Sequence, residues 1–290
     1  MRVDQRILVE QMTFAQLEAW GCDEVRRAGF SVSRQEVKLL LMAATGLDKA
    51  GLIGAAHDEV GTDAKAKFSA FIQRRLEREP VHRILGHREF HGLELALNEA
   101  TLEPRDDTEC LVELALAQVK DRNAELRLLD LGTGTGAVAL ALLQELPNAR
   151  ALATDRQAAA LQMAMANAEG NGLSDRFSPL QSDWFADITG QFELIVSNPP
   201  YIASEALESL EPEVTRFDPM LALDGGADGL DAYREILGRA REFLTPDGRV
   251  VLEIGYDQLR SVSDLAVAND WKIMQTAQDL VGQDRAICVG

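Results

Sequence analysis

Cysteine is scarce in this chain. Its three copies, Cys22, Cys110 and Cys288, are spread over 290 residues with no CxxC spacing. An odd and scattered set suits reduced, mostly buried thiols rather than a disulfide framework or a zinc site. Long apolar runs are missing too. None approaches the ~20 residues of a membrane helix, and no early stretch joins a basic start to an apolar core. A soluble, cytoplasmic protein without membrane contact is expected. Positive charge is the third shortage: 29 Lys and Arg stand against 47 Asp and Glu, for a net −18. Residues 1–87 hold 13 basic and 12 acidic side chains, so the deficit falls on the remainder, with 16 and 35. Nucleic-acid affinity rests on neutralising phosphates, so direct nucleic-acid binding is not expected.

What is present is ordinary for a globular protein, 46% hydrophobic and 26% charged, at a length comfortable for two domains. Residues 1–79 predict a small helical domain. Thr13 precedes Phe14, Leu17 and Trp20; Ser33, with Glu36 at the capping-box position, precedes Val37, Leu40 and Leu41. A third helix runs from Ala66 to Leu76. No catalytic pattern lies here, which leaves partner recognition or a passive cap; enzyme appendages often bind substrate. Pro80 is expected to end the helices. Residues 80–103 then form a connector whose Phe90, Leu93, Leu95 and Leu97, set among glycines, suggest a β-hairpin. His82, His87 and His91 cluster in it, but their spacing puts no three on one strand face, and no metal site is expected.

The segment Glu103 to Glu109 leads into an apolar helix face, Leu111, Leu114, Ala115 and Val119. Thr108 or Asp107 fits as a helix cap; alternatively, Arg105 and Glu109 shape a pocket, and local sequence accommodates both. From residue 104 onward the pattern is α/β. Strands read at 128–131, 151–154, 177–180, 192–196, 249–254, 271–275 and 286–289, with helices at about 137–146, 157–169, 231–243 and 258–268. The alternation predicts a Rossmann-like, seven-stranded, mainly parallel sheet covered on both faces. Thr245-Pro246-Asp247-Gly248 predicts a turn. Between Tyr201 and Gly229 lies an irregular stretch long enough to suggest a lid or binding loop.

Leu128 to Ala137 reads as strand, glycine-rich turn and helix start, with Gly132, Thr133, Gly134, Thr135 and Gly136 as the turn. Asp155 ends the next strand 23 residues after Gly132, where a carboxylate accepts from ribose hydroxyls. The unit alone fits a nicotinamide cofactor or S-adenosylmethionine. Asp130, two positions before the first glycine, gives the D-x-G-x-G form of S-adenosylmethionine sites. After the third strand, Asp183 offers an acceptor for an adenine amine and Trp184 a flat face for the ring. A helix cap and a core aromatic are the plainer readings of that pair.

Ile195-Val196-Ser197-Asn198-Pro199-Pro200-Tyr201 is a buried strand ending in an amide, two prolines and an aromatic. Proline lacks an N–H and disfavours helix before it, so the strand stops at Asn198. The tip suits methylation of an amide or amino nitrogen, whose delocalised lone pair makes it a poor nucleophile. Acceptors aimed at both N–H groups hold the nitrogen as it becomes tetrahedral and favour its developing positive charge. Asn198 Oδ1 and the Pro199 carbonyl are candidates, with Pro200 stiffening the turn and Tyr201 covering the planar group.

With these residues together, the chain resembles the release-factor glutamine methyltransferases, the HemK/PrmC family, over nearly its whole length. Pro104 to Glu109 is similar to the family's P-R-x-x-T-E segment, Leu129 to Gly136 to its D-L-G-T-G-T-G loop, Gln181 to Phe185 to its S-D-W-F segment, and Ser197 to Tyr201 to its N-P-P-Y motif. The resemblance implies methyl transfer from S-adenosylmethionine to the glutamine side-chain amide (N5) in the Gly-Gly-Gln loop of class I peptide chain release factors. It implies a cofactor site of Asp130, Gly132 to Gly136, Asp155, Asp183, Trp184 and Asn198. Catalysis falls to Asn198, Pro199 and Tyr201, with Pro200, Arg105 and Glu109 joining them in substrate binding. A monomer is expected. Two rivals stay open on the residues alone: a nucleic-acid amino-methyltransferase sharing Asn198–Tyr201, and a nicotinamide-dependent oxidoreductase using Gly132, Gly134, Ala137 and Asp155.

Overall fold

The structure, a computed structural model, describes residues 11–29 and 34–290. They divide into two compact units, one of the described residues up to Gly86 and one of His87–Gly290. In the first, α1 (Phe14–Arg27), α2 (Arg34–Thr45), α3 (Lys49–Gly54), α4 (Thr62–Leu76) and α5 (Val81–Leu85) enclose a core that includes Leu17, Val37, Leu40, Leu41, Phe68 and Ile72. Thr13 caps α1 through a reciprocal box with Gln16, whose side chain accepts from the Thr13 N–H. The cap expected at Ser33 lies outside the described residues. Pro80 starts a helix rather than ending them: its extended backbone puts it at the N-cap of α5, where a missing N–H costs nothing.

The second unit opens with a hairpin, β1 (His87–Phe90) and β2 (Leu93–Ala96), turning at His91 and Gly92, both at positive φ. The helix α6 (Glu109–Ala117) follows. The main sheet then takes β3 (Arg127–Leu131), β4 (Arg150–Asp155), β5 (Phe177–Gln181), β6 (Phe192–Ser197), β7 (Leu244–Glu253), β8 (Ile273–Gln278) and β9 (Asp284–Val289). Its order is β5-β4-β3-β6-β7-β9-β8, with β9 antiparallel to both neighbours and the remaining pairs parallel. The expected seven-stranded, mainly parallel sheet is therefore present. β3 and β6 are buried on both faces, which is why they read as continuous apolar runs.

On one face, α6, α7 (Ala137–Glu145) and α8 (Ala158–Gly170) contribute to a core with Leu111, Leu140 and Val196; on the other, α10 (Asp231–Arg239) and α11 (Leu259–Ala268) pack Tyr233, Ile236 and Val262 against Ile195 and Leu252. Two boundaries differ from expectation. The turn at 245–248 is absorbed into β7 as an irregularity in its register with β6. Trp271 is not in a strand: its buried indole N–H donates to the Leu237 carbonyl at 2.8 Å, and β8 begins two residues later. The stretch after Tyr201 has structure of its own, two short 3-10 turns (Ser204–Ser209 and Met220–Ala222) around α9 (Pro212–Phe217). No described helix is long and apolar enough to cross a membrane.

Candidate active site

The carboxyl ends of β3, β4 and β6 open on a cavity of about 330 Å³, inside the usual size range of small-molecule sites. The glycine loop forms its floor. Gly132, Gly134 and Gly136 all have positive φ, and the loop is held from below: the Thr133 N–H donates to the Thr154 carbonyl at 2.8 Å and its hydroxyl to Asp130 Oδ2 at 2.7 Å. Asp130 lines the cavity but is almost wholly buried, and burial pushes its carboxyl up to about 6 despite the Thr133 and Ala139 donors. It is the strut of the loop. Asn167, on α8, fastens the rest, donating to the Thr135 carbonyl at 2.9 Å while exchanging two hydrogen bonds with Ala96 of the hairpin.

Asp155, at the end of β4, accepts the Gly134 N–H at 3.1 Å and the Gln157 N–H at 2.9 Å. Burial raises its pKa, and these donors oppose the shift. Trp184 lines the same cavity, at an unusual φ of 51°, its carbonyl accepting from the Ser182 hydroxyl. Asp183 does not line it. Its exposed carboxylate pairs at 3.3 Å with Arg156, which does. A carboxylate at a strand end, a loop whose backbone admits close approach and an aromatic side chain thus surround one cavity. That set fits an adenosine-bearing cofactor, with Gly132, Gly134, Asp155 and Trp184 at the cavity and Gly136 outside its lining.

Asn198 reaches the cavity from β6, with Pro200 beside it. Its Nδ2 donates to Thr108 Oγ1 at 3.2 Å, across 90 residues of chain. Thr108 stands at the N-cap position of α6 but makes no capping bond; its buried hydroxyl belongs to the site instead. Pro199 and Tyr201 do not line the cavity. The Tyr201 ring packs into the second core cluster, and its hydroxyl donates to Glu253 Oε1 at 3.4 Å. Burial, then the nearby Glu253 charge, raises the Tyr201 pKa, so the phenol stays protonated. Gln258 ties this turn down: its Nε2 donates to the Tyr201 carbonyl at 2.9 Å and the Gly229 carbonyl at 3.3 Å, while its Oε1 accepts the Gly255 N–H.

The long loop returns against the same turn. The Ile202 N–H donates to the Leu223 carbonyl and the Gly225 N–H to the Ile202 carbonyl, and Leu221, Ala222 and Asp224 form part of the cavity wall. Gly229 is required there. It has φ 75°, and a Cβ would fall 2.4 Å from the Tyr201 carbonyl oxygen. Of the two pocket candidates near the domain joint, Arg105 bridges to Asp218 of the long loop at 3.2 Å. Glu109 faces away, accepting the His91 N–H of the hairpin turn at 3.3 Å, and neither residue lines the cavity. Glu103, not singled out from sequence, does line it, fixed by Arg88 at 2.6 Å.

Residues 16–86 match the PrmC N-terminal domain model, and residues 108–213 the methyltransferase small domain. A release factor glutamine methyltransferase of Agrobacterium fabrum is 45% identical over 266 residues, covering 91% of this chain and 92% of that protein. The chain belongs to the release factor glutamine methyltransferase family. The family's enzyme from Rhodospirillum rubrum is 43% identical over 268 residues, covering 92% and 82%. Among solved structures, the catalytic domain of human hMettl16, determined with an RNA hairpin, aligns at a TM-score of 0.59 with 16% identity, over 72% of this chain and 81% of that one. At that identity the likeness concerns the fold, the S-adenosylmethionine methyltransferase sheet. Family membership makes S-adenosylmethionine the methyl donor and sets aside the nicotinamide reading of the glycine loop.

Missed from sequence were Glu253, Gln258, Asn167 and the role of Thr108. One signal was available. Glu253 closes the apolar run Val250-Val251-Leu252 with a polar residue, as Asn198 closes its own strand.

Proposed function

We propose that this chain methylates the side-chain amide nitrogen (N5) of the glutamine in the Gly-Gly-Gln loop of class I peptide chain release factors, tuning translation termination. The observation that carries the reading is the orientation of Asn198. With Nδ2 committed to Thr108, Oδ1 is left as the acceptor at the cavity. S-adenosylmethionine supplies, when bound, a sulfonium methyl group that an amide nitrogen can take. Asn198 Oδ1 and the Pro199 carbonyl accept from the glutamine N–H groups, holding the nitrogen and favouring the positive charge it gains. That cation then loses its proton to solvent without a dedicated base. Pro200 adds no competing donor, and Tyr201 braces the turn from behind.

The cofactor takes Gly132 to Gly136, Asp155 and Trp184. Arg105, through Asp218, sets the long loop that borders the substrate entrance. The helical unit serves partner recognition, and the chain acts as a cytoplasmic monomer. The acidic balance of residues 88–290, 16 basic against 35 acidic side chains, favours encounter with a basic protein over a polyanion. Incubation with labelled S-adenosylmethionine and separate release factor, tRNA and DNA acceptors tests the reading. Label is expected on the release factor glutamine, and label confined to nucleic acid overturns it.

A further inference from the structure

Large apolar side chains are exposed unevenly on the second unit. Of eight, five stand in segments that leave the carboxyl ends of strands: Met220, Leu221, Tyr256, Leu280 and Val281. The other three sit at the end of α11 and the start of β8, on the opposite edge. Scattered apolar side chains on a surface are ordinary, but a set gathered on one edge marks a contact. The sheet register places the last two. Glu253 of β7 stands opposite Ala286 of β9, and Gln278 closes β8 opposite Asp284. The turn between β8 and β9 therefore projects from the edge that carries Asn198 and the glycine loop. Three strand steps, about 14 Å, separate β8 from β6.

Leu280 is fully exposed and Val281 80% exposed, yet the turn that bears them is fixed. Asp279, its side chain only 7% exposed, accepts the Val281 and Gln283 N–H groups on Oδ1 at 3.0 and 2.9 Å. Its Oδ2 takes Arg285 Nε at 2.9 Å, and Gly282 bends the chain at φ 83°. Arg285 also reaches Asp107 at 2.9 Å, next to the Thr108 that holds Asn198. The tip is braced against the segment that supports the reacting amide. A turn with these bonds displays its two apolar side chains at one place.

We propose that the β8–β9 tip, with Leu280 and Val281, is a docking point for the release factor, outside the reaction cavity. Resting on glutamine-amide methylation, it gives the same substrate a second contact. Tyr256, also exposed, follows β7 on the side toward the cavity, two residues past Ile254, whose N–H donates to the Arg285 carbonyl at 2.8 Å. Carboxylates border the patch: Asp257 beside Tyr256, Asp284 after the tip and Asp107 against Arg285. The single charge of Arg285 is shared between Asp107 and Asp279, so the border stays acidic. An apolar patch in an acidic border takes an apolar recess rimmed by Lys or Arg on a protein, and repels a phosphate backbone. A glutamine entering the cavity on a protein loop brings the body of that protein over this edge, on the side away from the cofactor loop. Docking there lowers KM for the protein and leaves methyl transfer untouched.

The test is the double variant Leu280→Ser, Val281→Ser in the full chain, assayed with release factor and S-adenosylmethionine. KM for release factor is expected to rise about tenfold, the scale of partly burying two apolar side chains. Both side chains are exposed, so kcat at saturating release factor, cofactor affinity by calorimetry and the melting temperature should stay at wild-type values. The conservative pair Leu280→Met, Val281→Ile should keep the wild-type KM. A KM within about twofold of wild type in the serine variant overturns docking. So does an equal loss of cofactor affinity, which makes the tip a structural part of the site. Sedimentation separates the release factor from a second copy of this chain: a wild-type dimer that the serine variant splits assigns the tip to self-association and overturns docking as well. A wild-type chain that labels no release factor overturns the glutamine reading, whereas label with an unchanged KM overturns docking alone.

Discussion

On the β3–β4 side of the cavity, the bonds within the glycine loop and to Asp155 are short in sequence. Thr133 reaches Asp130 three residues away, and Gly134 reaches Asp155 across 21. On the β6–β7 side they are long: 90 residues from Asn198 to Thr108, 52 from Tyr201 to Glu253 and 57 from Tyr201 to Gln258. The first side is mainly a strand-turn-helix unit that carries its geometry locally, with Asn167 of α8 tying it to the hairpin across 71 residues. The second exists only once α6, the long loop and β7 have all packed. Cofactor binding and amide activation should therefore fail separately under mutation, and the variants below test that separation.

The largest effect is expected at Asn198. Asn198→Ala removes the acceptor proposed for the reacting nitrogen and leaves Thr108 without its donor. By analogy with loss of a single oxyanion-hole donor, it should cost about 3 kcal/mol of transition-state stabilisation, roughly a hundredfold in kcat. Cofactor affinity, measured by calorimetry, should hardly move. A collapse of cofactor affinity with kcat preserved would place Asn198 on the other side of the comparison.

Gln258 is farther from the chemistry but entirely on the long-range side. Gln258→Ala leaves the Tyr201 carbonyl, the Gly229 carbonyl and the Gly255 N–H without this partner. Unsatisfied buried groups cost about 1–3 kcal/mol each when water cannot replace the bond. Release of the turn should lower kcat about tenfold while cofactor affinity stays level. Equal losses in both would show that the two sides are coupled through the turn.

The same division explains what was legible in the sequence. The glycine loop, Asp155 and the end of β6 announced themselves because each is a local pattern whose meaning is set by neighbours along the chain. The sheet was legible for a similar reason, since buried parallel strands leave apolar runs. Thr108 read as a cap because the helix start after it was visible and Asn198, 90 residues away, was not. Glu253 and Gln258 follow an apolar strand as plain polar residues, and only tertiary packing gives them partners. Glu109 misled in the opposite direction: it neighbours Arg105 and Thr108 in sequence but turns to the hairpin at His91. Asp183 did likewise: it stays outside the cavity lining and pairs with Arg156, which is part of that lining.

Trp184 supplies the smallest expected change and the cleanest contrast. The residue keeps φ at 51°, a conformation costly for a bulky side chain, with its carbonyl fixed by Ser182. The indole faces the cavity from one side and packs on the core of the β6–β7 face from the other. If that strain serves a stacking surface, Trp184→Ala removes the face but not the backbone arrangement. An aromatic stack contributes about 0.5–1.5 kcal/mol beyond area burial, so cofactor affinity should fall about fivefold. The long-range bonds around Asn198 do not pass through Trp184, and kcat at saturating cofactor should stay within about twofold of wild type. An unchanged affinity would reject the stacking role, and a kcat loss as deep as that of Gln258→Ala would erase the distinction between the two sides.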